Sequence, residues 1–203
     1  MAINKKIIEH WHQSDVLLLG GSAGAFKLLI KIIKSFTPDL NKTVIIVIHR
    51  KKNFRSEIVK LFAENSKMTF WEVCDKDPIK KNFIYIAPAN YHTLIEKGDY
   101  FSLDVSEAVW YSKPSIDVTF ESAADVLKDR CTAILLSGAN PDGAEGLLKL
   151  REGGALTIVQ HPADAEMPEM PKAAIAINAA ELILHNDEIY ELLQSRPVET
   201  KIA

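Results

Sequence analysis

Cysteine is scarce in this chain, with only Cys74 and Cys131 among 203 residues. Two thiols at that spacing build neither a disulfide framework nor a Cys-based zinc site, so a reducing compartment is the simplest reading. An excess of positive charge is also missing. Against 27 Asp and Glu stand 24 Lys and Arg, a net charge of −3, which argues against nucleic acid and against a membrane surface as partners. Long hydrophobic runs are absent too. The opening Met-Ala-Ile-Asn-Lys-Lys-Ile-Ile-Glu-His has no apolar core of signal-peptide length, and no later run approaches the roughly 20 apolar residues of a membrane span. A cytoplasmic location is expected. No repeat, low-complexity tract or linker divides the chain, so one domain over residues 1–203 is expected, with residues 1–14 as a short helix or ordered tail. A chain of this length buries roughly 70% of its unfolded surface without any disulfide or metal.

What is present is organised around residues 16–25, Val-Leu-Leu-Leu-Gly-Gly-Ser-Ala-Gly-Ala. Four apolar residues read as a buried strand. They meet a glycine-rich turn carrying one hydroxyl, Ser22, and apolar residues then resume at helical spacing with Phe26, Leu29, Ile30 and Ile33. Such a turn sets a side chain at the carboxyl end of a strand, beside the free N–H groups of the next helix's first turn. Gly20-Gly21-Ser22-Ala23-Gly24 also fits the nucleophile-elbow pattern G-x-S-x-G. By itself the pattern serves equally for a phosphate cradle or for packing.

Further along, Thr43-Val-Ile-Ile-Val-Ile-His49 is apolar on both faces, as a central parallel strand requires. Arg50, Lys51 and Lys52 follow and read as a solvated loop, then a helix is predicted over 54–65. Between 67 and 105 the pattern changes to short strands, at 68–73, 82–87, 92–96 and 100–103, which predicts a β excursion with hairpins. An amphipathic helix is predicted after Lys113-Pro114-Ser115, then a third core strand over 131–136, a helix carrying Leu147, Leu148 and Leu150, and a strand over 155–160. A loop over 162–171, a helix near 172–178, a short strand over 181–184 and a last helix near 187–193 complete the pattern. Strands alternating with helices in this way predict an α/β fold, a doubly wound and mostly parallel sheet with helices on both faces.

Ligands in such sheets gather at the carboxyl ends of the strands. Three core strands there deliver Ser22, His49 and, in the loop after the third, Asp142. A hydroxyl, an imidazole and a carboxylate are the parts of a nucleophile, its base and the group that orients the base. Spacing alone leaves other assignments open. His49 could simply bond to backbone, Asp142 could cap the following helix, and His92 and His161 compete for the role of base.

Taken together, these segments resemble the catalytic domain of the protein-glutamate methylesterases of bacterial chemotaxis, the CheB family. Gly-Gly-Ser-Ala-Gly-Ala at 20–25 is similar to that family's G-A-S-T-G-G, and the strand ending at His49 to its V-V-x-Q-H. Ile-Tyr-Ile-Ala-Pro-Ala-Asn-Tyr-His at 84–92 resembles V-Y-I-A-P-G-x-x-H, and Lys-Pro-Ser-Ile-Asp-Val at 113–118 resembles R-P-S-V-D-V. Ser-Gly-Ala-Asn-Pro-Asp-Gly-Ala-Glu-Gly at 137–146 is similar to T-G-M-G-x-D-G-A-x-G, and a Met-Pro segment over 165–175 matches as well. The resemblance spans about residues 14–185. It implies a Ser22 nucleophile, a His49 base and an Asp142 orienter, leaves His92 and His161 outside the chemistry, and implies no metal or cofactor.

By the same resemblance the partners are methyl-accepting chemotaxis receptors, whose glutamyl γ-methyl esters would be hydrolysed and whose glutamines are a second candidate substrate, for deamidation. Neither nucleic acid nor membrane insertion enters that picture. The loops that would face an oxyanion hold Ala23, Gly24, Ala139 and Asn140, and the departures are Ala23 where the family has threonine, Ala25 where it has glycine, and Ala139 and Asn140 where it has Met-Gly. Weakened activity, a binding or scaffold role, and an esterase or amidase acting on another substrate are the alternatives those departures keep in view. Residues 1–15 are too few for the receiver domain that often precedes this catalytic domain, so control by phosphorylation within the chain is expected to be absent.

Overall fold

In the computed structural model, residues 3–50 and 55–197 are described, with only the backbone at Arg55 and Ser56. Lys51, Lys52 and the predicted helix start at Phe54 lie outside them. The elements run α1 Lys5–Gln13, β1 Val16–Gly21, α2 Phe26–Ser35, β2 Thr43–Ile48, α3 Arg55–Glu64, β3 Thr69–Glu72, β4 Phe83–Ile86, β5 His92–Glu96 and β6 Tyr100–Asp104. They continue as α4 Ile116–Val126, β7 Cys131–Leu135, α5 Ala144–Glu152, β8 Leu156–Gln160, α6 Glu169–Ala176, β9 Leu182–Leu184 and α7 Asn186–Gln194.

Seven strands form one sheet in the order β3-β4-β2-β1-β7-β8-β9, every neighbouring pair parallel. This is the doubly wound α/β architecture that the alternation predicts. The chain builds one half of the sheet first, with β4 inserted between β2 and the edge strand β3, then crosses to β7 on the other side of β1, so the strand order reverses between β1 and β7. Side chains alternate across the sheet at period two. Leu17, Leu19, Val44 and Ile46 face one core with Trp11 of α1, Leu29 and Ile32 of α2, Phe62 of α3 and Leu192 of α7. Val16, Leu18, Ile45 and Val47 face the other, with Phe120 of α4, Leu147 of α5 and Ala174 of α6. Because both faces are covered, every residue of β1 and β2 is buried, which is why those strands read as uninterrupted apolar runs.

Of the four strands predicted between 67 and 105, β5 and β6 pair as an antiparallel hairpin, with His92 opposite Asp104. The other two, β3 and β4, are parallel and extend the main sheet. The hairpin lays Ile95 and Phe101 on the α4 side of the core. The loop predicted over 162–171 is shorter than expected, since α6 begins at Glu169 and takes in Pro171. Pro171 sits in the first turn, where an N–H has no partner within the helix, so the proline removes no bond.

One turn explains the glycines before Ser22. A Cβ at Gly20 would lie 2.6 Å from the Ile116 side chain and 2.9 Å from Phe120, so α4 packs directly on the β1 backbone. That contact brings the start of α4 to the carboxyl end of the sheet.

Candidate active site

Ser22 follows β1, His49 follows β2, and Asp142 lies in the loop between β7 and α5. All three stand at carboxyl ends of central parallel strands, beside the point where strand order reverses. Ser22 and His49 line one cleft of about 820 Å³, together with Ala23, Gly24, Arg50 and Tyr111. Asp142 lies beneath it, fully buried.

The Asp142 carboxylate accepts four hydrogen bonds. Oδ1 takes the Ser115 hydroxyl at 2.8 Å and the Asp117 N–H at 3.0 Å, while Oδ2 takes the Ile116 N–H at 2.8 Å and His49 Nε2 at 2.7 Å. Two of these donors are the first backbone amides of α4, where the helix dipole also favours negative charge. Burial by itself would raise the carboxyl's pKa. The bonds from His49, Asp117, Ile116 and Ser115 outweigh it and hold Asp142 below the usual carboxylate range. The charged form only accepts, so His49 must donate from Nε2, and in neutral imidazole the bare lone pair then lies on Nδ1. His49 Nδ1 makes no hydrogen bond among the described residues, and none joins His49 to Ser22. In unliganded sites such bonds are commonly long and tighten only with substrate.

Beside this carboxylate sits a second one. Asp117 is buried, accepts the Gly146 N–H at 2.8 Å and so caps the first turn of α5. Burial, followed by the nearby charge of Asp142, pushes its pKa up to about 7. Helix α4 thus supplies one carboxylate with amides and carries another whose proton is held more tightly than in an ordinary carboxyl. Sequence reasoning missed Ser115 and Asp117, although the Pro-Ser-x-Asp string at 114–117 carries the helix-start signal that would have found them.

The two competing histidines lie elsewhere. His92 is buried, with Nδ1 accepting the Ser115 N–H at 3.1 Å and Nε2 donating to the Glu107 carbonyl at 2.9 Å. His161 stacks on His185 with ring centroids 4.1 Å apart. Arg50 corrects the reading of a solvated cationic loop. Its guanidinium is buried, pairs with Glu72 at 2.6 Å and reaches the Ala87 carbonyl at 3.2 Å, because β4 and the end of β3 supply acceptors there.

At Ala23, Gly24, Ala139 and Asn140 the backbone N–H groups donate to no group among the described residues. Ala23 and Ala139 are exposed. The Asn140 side chain is occupied internally: Oδ1 accepts the Asp142 N–H at 3.3 Å, and Nδ2 donates to the Trp110 carbonyl at 3.1 Å. Trp110 and Tyr111 adopt left-handed backbone conformations, φ 48° and 59°, at the rim of the cleft. Tyr111 is fully exposed and Trp110 is 47% exposed. Among the described residues no group of three or more His, Cys, Asp and Glu side chains converges to hold a metal ion, and no helix is long and apolar enough to cross a membrane.

This architecture matches a solved catalytic domain. The crystal structure of the Thermotoga maritima CheB methylesterase catalytic domain superposes with a TM-score of 0.83 at 25% identity, covering 89% of this chain and 98% of that one. The CheB methylesterase family pattern matches residues 17–193, and the chain belongs to that family. A Leptospira interrogans protein, provisionally named as a protein-glutamate methylesterase/protein-glutamine glutaminase, is 36% identical over 178 residues, 88% of this chain and 92% of its own length. A Symbiobacterium thermophilum protein-glutamate methylesterase/protein-glutamine glutaminase is 31% identical over 169 residues, and the chain spans only 47% of that longer protein.

Proposed function

We propose that this chain is a serine hydrolase that removes methyl groups from glutamyl γ-methyl esters of methyl-accepting chemotaxis receptors. The observation that carries the reading is the 2.7 Å bond from His49 to a buried, charged Asp142, at a cleft that Ser22 also lines. Ser22 Oγ attacks the ester carbonyl and passes its proton to His49 Nδ1, while Asp142 keeps Nε2 protonated and steadies the imidazolium. The C–O bond to the methoxy group breaks, and His49 returns the proton so that methanol leaves. Water then adds to the acyl-enzyme by the same route and frees the glutamate. With an amide in place of the ester, the same steps release ammonia from glutamine, in line with the two activities in the relatives' names.

The unspent N–H groups of Ala23, Gly24, Ala139 and Asn140 are the donors available to the developing oxyanion. Replacing family side chains there leaves the amides in place. A protein substrate accounts for the open cleft and for the Trp110-Tyr111 turn at its rim. Receptors are supported as that substrate by family membership, and a cytoplasmic site of action accompanies them.

The test compares wild type with Ser22→Ala. Methanol release from a methylated receptor cytoplasmic fragment should fall by at least about 10³-fold, as for removal of a triad nucleophile elsewhere. Turnover at the wild-type rate would rule the mechanism out. Release from small methyl esters but none from receptor would move the substrate assignment to another molecule.

A further inference from the structure

Ser137, the second residue after β7, grips the Ser22 turn from two sides. Its carbonyl accepts the Ser22 N–H at 2.8 Å, and its hydroxyl donates to the Ala23 carbonyl at 2.7 Å. These bonds fix the peptide groups immediately before and after the Ser22–Ala23 peptide. The central peptide is itself tied by the Ala25 N–H on the Ser22 carbonyl at 3.1 Å. In a trans peptide the C=O and N–H point in opposite directions. Each carbonyl held back against the protein therefore turns the following N–H the other way. Those N–H groups are on Ala23 and Gly24, the two unspent amides of this turn.

Ser137 is itself immobilised. It is fully buried, its hydroxyl oxygen accepts the Met167 N–H at 2.9 Å, and its own N–H donates to Gln160 Oε1 at 2.7 Å. Gln160 is buried as well and donates from Nε2 to Asn186 Oδ1 at 2.7 Å. Gly24 makes the approach possible. Its φ is 83°, and a Cβ there would stand 2.5 Å from the Ser137 hydroxyl. Glycine also leaves this peptide easy to rotate once the hydroxyl is gone, because both signs of φ are open to it.

We propose that Ser137 is a positioning residue for the hydrolysis, its hydroxyl holding the Ala23–Gly24 peptide so that the turn presents its free N–H groups to the oxyanion. The proposal rests on the reading of Ser22 as nucleophile. Without the Ser137 hydroxyl the peptide is free to flip and present a carbonyl oxygen, which repels the charge it should stabilise.

Three variants of the full chain test this, assayed with p-nitrophenyl acetate and with methylated receptor fragment. Ser137→Ala should lower kcat about 10- to 100-fold on both substrates, up to the loss seen when one oxyanion donor is removed, with KM changed less than about 2-fold. Ser137→Thr keeps a hydroxyl on Cβ and should restore kcat to within about 5-fold of wild type. Should Ser137→Ala not fold, Ser137→Cys provides a near-isosteric weak donor and should show the same loss of kcat. A kcat within about 3-fold of wild type for the folded donor-deficient variant, or a Thr variant as slow as it, overturns the proposal. Ser22→Ala is run in parallel. If it keeps turnover, the nucleophile assignment fails; if it is inert while Ser137→Ala is fully active, only the positioning role fails.

Discussion

His49 and Asp142 are 93 residues apart in the chain and joined by a 2.7 Å hydrogen bond from Nε2 to Oδ2. That bond sets which imidazole nitrogen is bare. Asp142 can orient the ring because it is held in turn by Ser115, Ile116 and Asp117 at the start of α4.

Asp142→Asn should therefore be far more damaging than its near-equal size suggests. An amide has one acceptor oxygen, so two of the four donors now on the carboxylate would meet an NH₂ group. The favoured His49 tautomer is lost as well. kcat should fall by about 10⁴-fold, as when a triad aspartate elsewhere is changed to asparagine. Stability should fall too. Because the folded pKa of Asp142 lies below its ordinary value, its contribution is present at neutral pH and is lost as the pH falls through the folded value. Thermal unfolding at pH 7 and pH 3 checks this: the gap between wild type and variant should narrow at the lower pH.

Asp117 has the opposite sign. Its folded pKa of about 7 exceeds its ordinary 3.8, so its proton is bound more tightly in the folded chain. Stability from this group is complete below the ordinary value and declines as the pH rises through about 7. Asp117→Asn keeps an acceptor for the Gly146 N–H and removes the charge. Its melting temperature relative to wild type should be higher at pH 8 than at pH 5. A pH-independent difference between the two proteins would refute the assignment.

Trp110 separates binding of a protein from cleavage of an ester. Its carbonyl is held by Asn140, its side chain is half exposed, and its neighbour Tyr111 lines the cleft. Trp110→Ala should raise KM for receptor fragment several-fold, on the scale of an exposed aromatic anchor worth about 1 kcal/mol or more. kcat on p-nitrophenyl acetate should be unaffected. Equal losses on both substrates would show instead that the turn supports the site as a whole.

Much of this was legible in the chain because it is local. A residue's place at the end of an apolar β-branched run is a one-dimensional fact, and Ser22, His49 and Asp142 each follow such a run. The parallel sheet was legible for the same reason, since burial on both faces leaves uninterrupted apolar strands. Strand partners were not. The patterns of β3 and β4 match those of β5 and β6, and only packing assigns one pair to the sheet and the other to a hairpin.

Three features depend on contacts between distant segments. Arg50 reads as one of three loop cations, and its burial depends on Glu72 of β3 and the Ala87 carbonyl arriving beside it. Ser115 and Asp117 show a helix start in the sequence, but their meeting with Asp142 follows from α4 packing on the bare backbone of Gly20. Ser137 and Ser22 are both loop serines on paper, and only the adjacency of β1 and β7 makes one a clamp on the other. The sequence by itself determined the elements, the family and the side chains offered at the strand ends, because hydrophobic period and turn chemistry are local. The tertiary structure decided which nitrogen of His49 is bare, which carboxylate keeps its charge and which amides remain unspent, because each depends on hydrogen bonds closed between segments far apart in the chain.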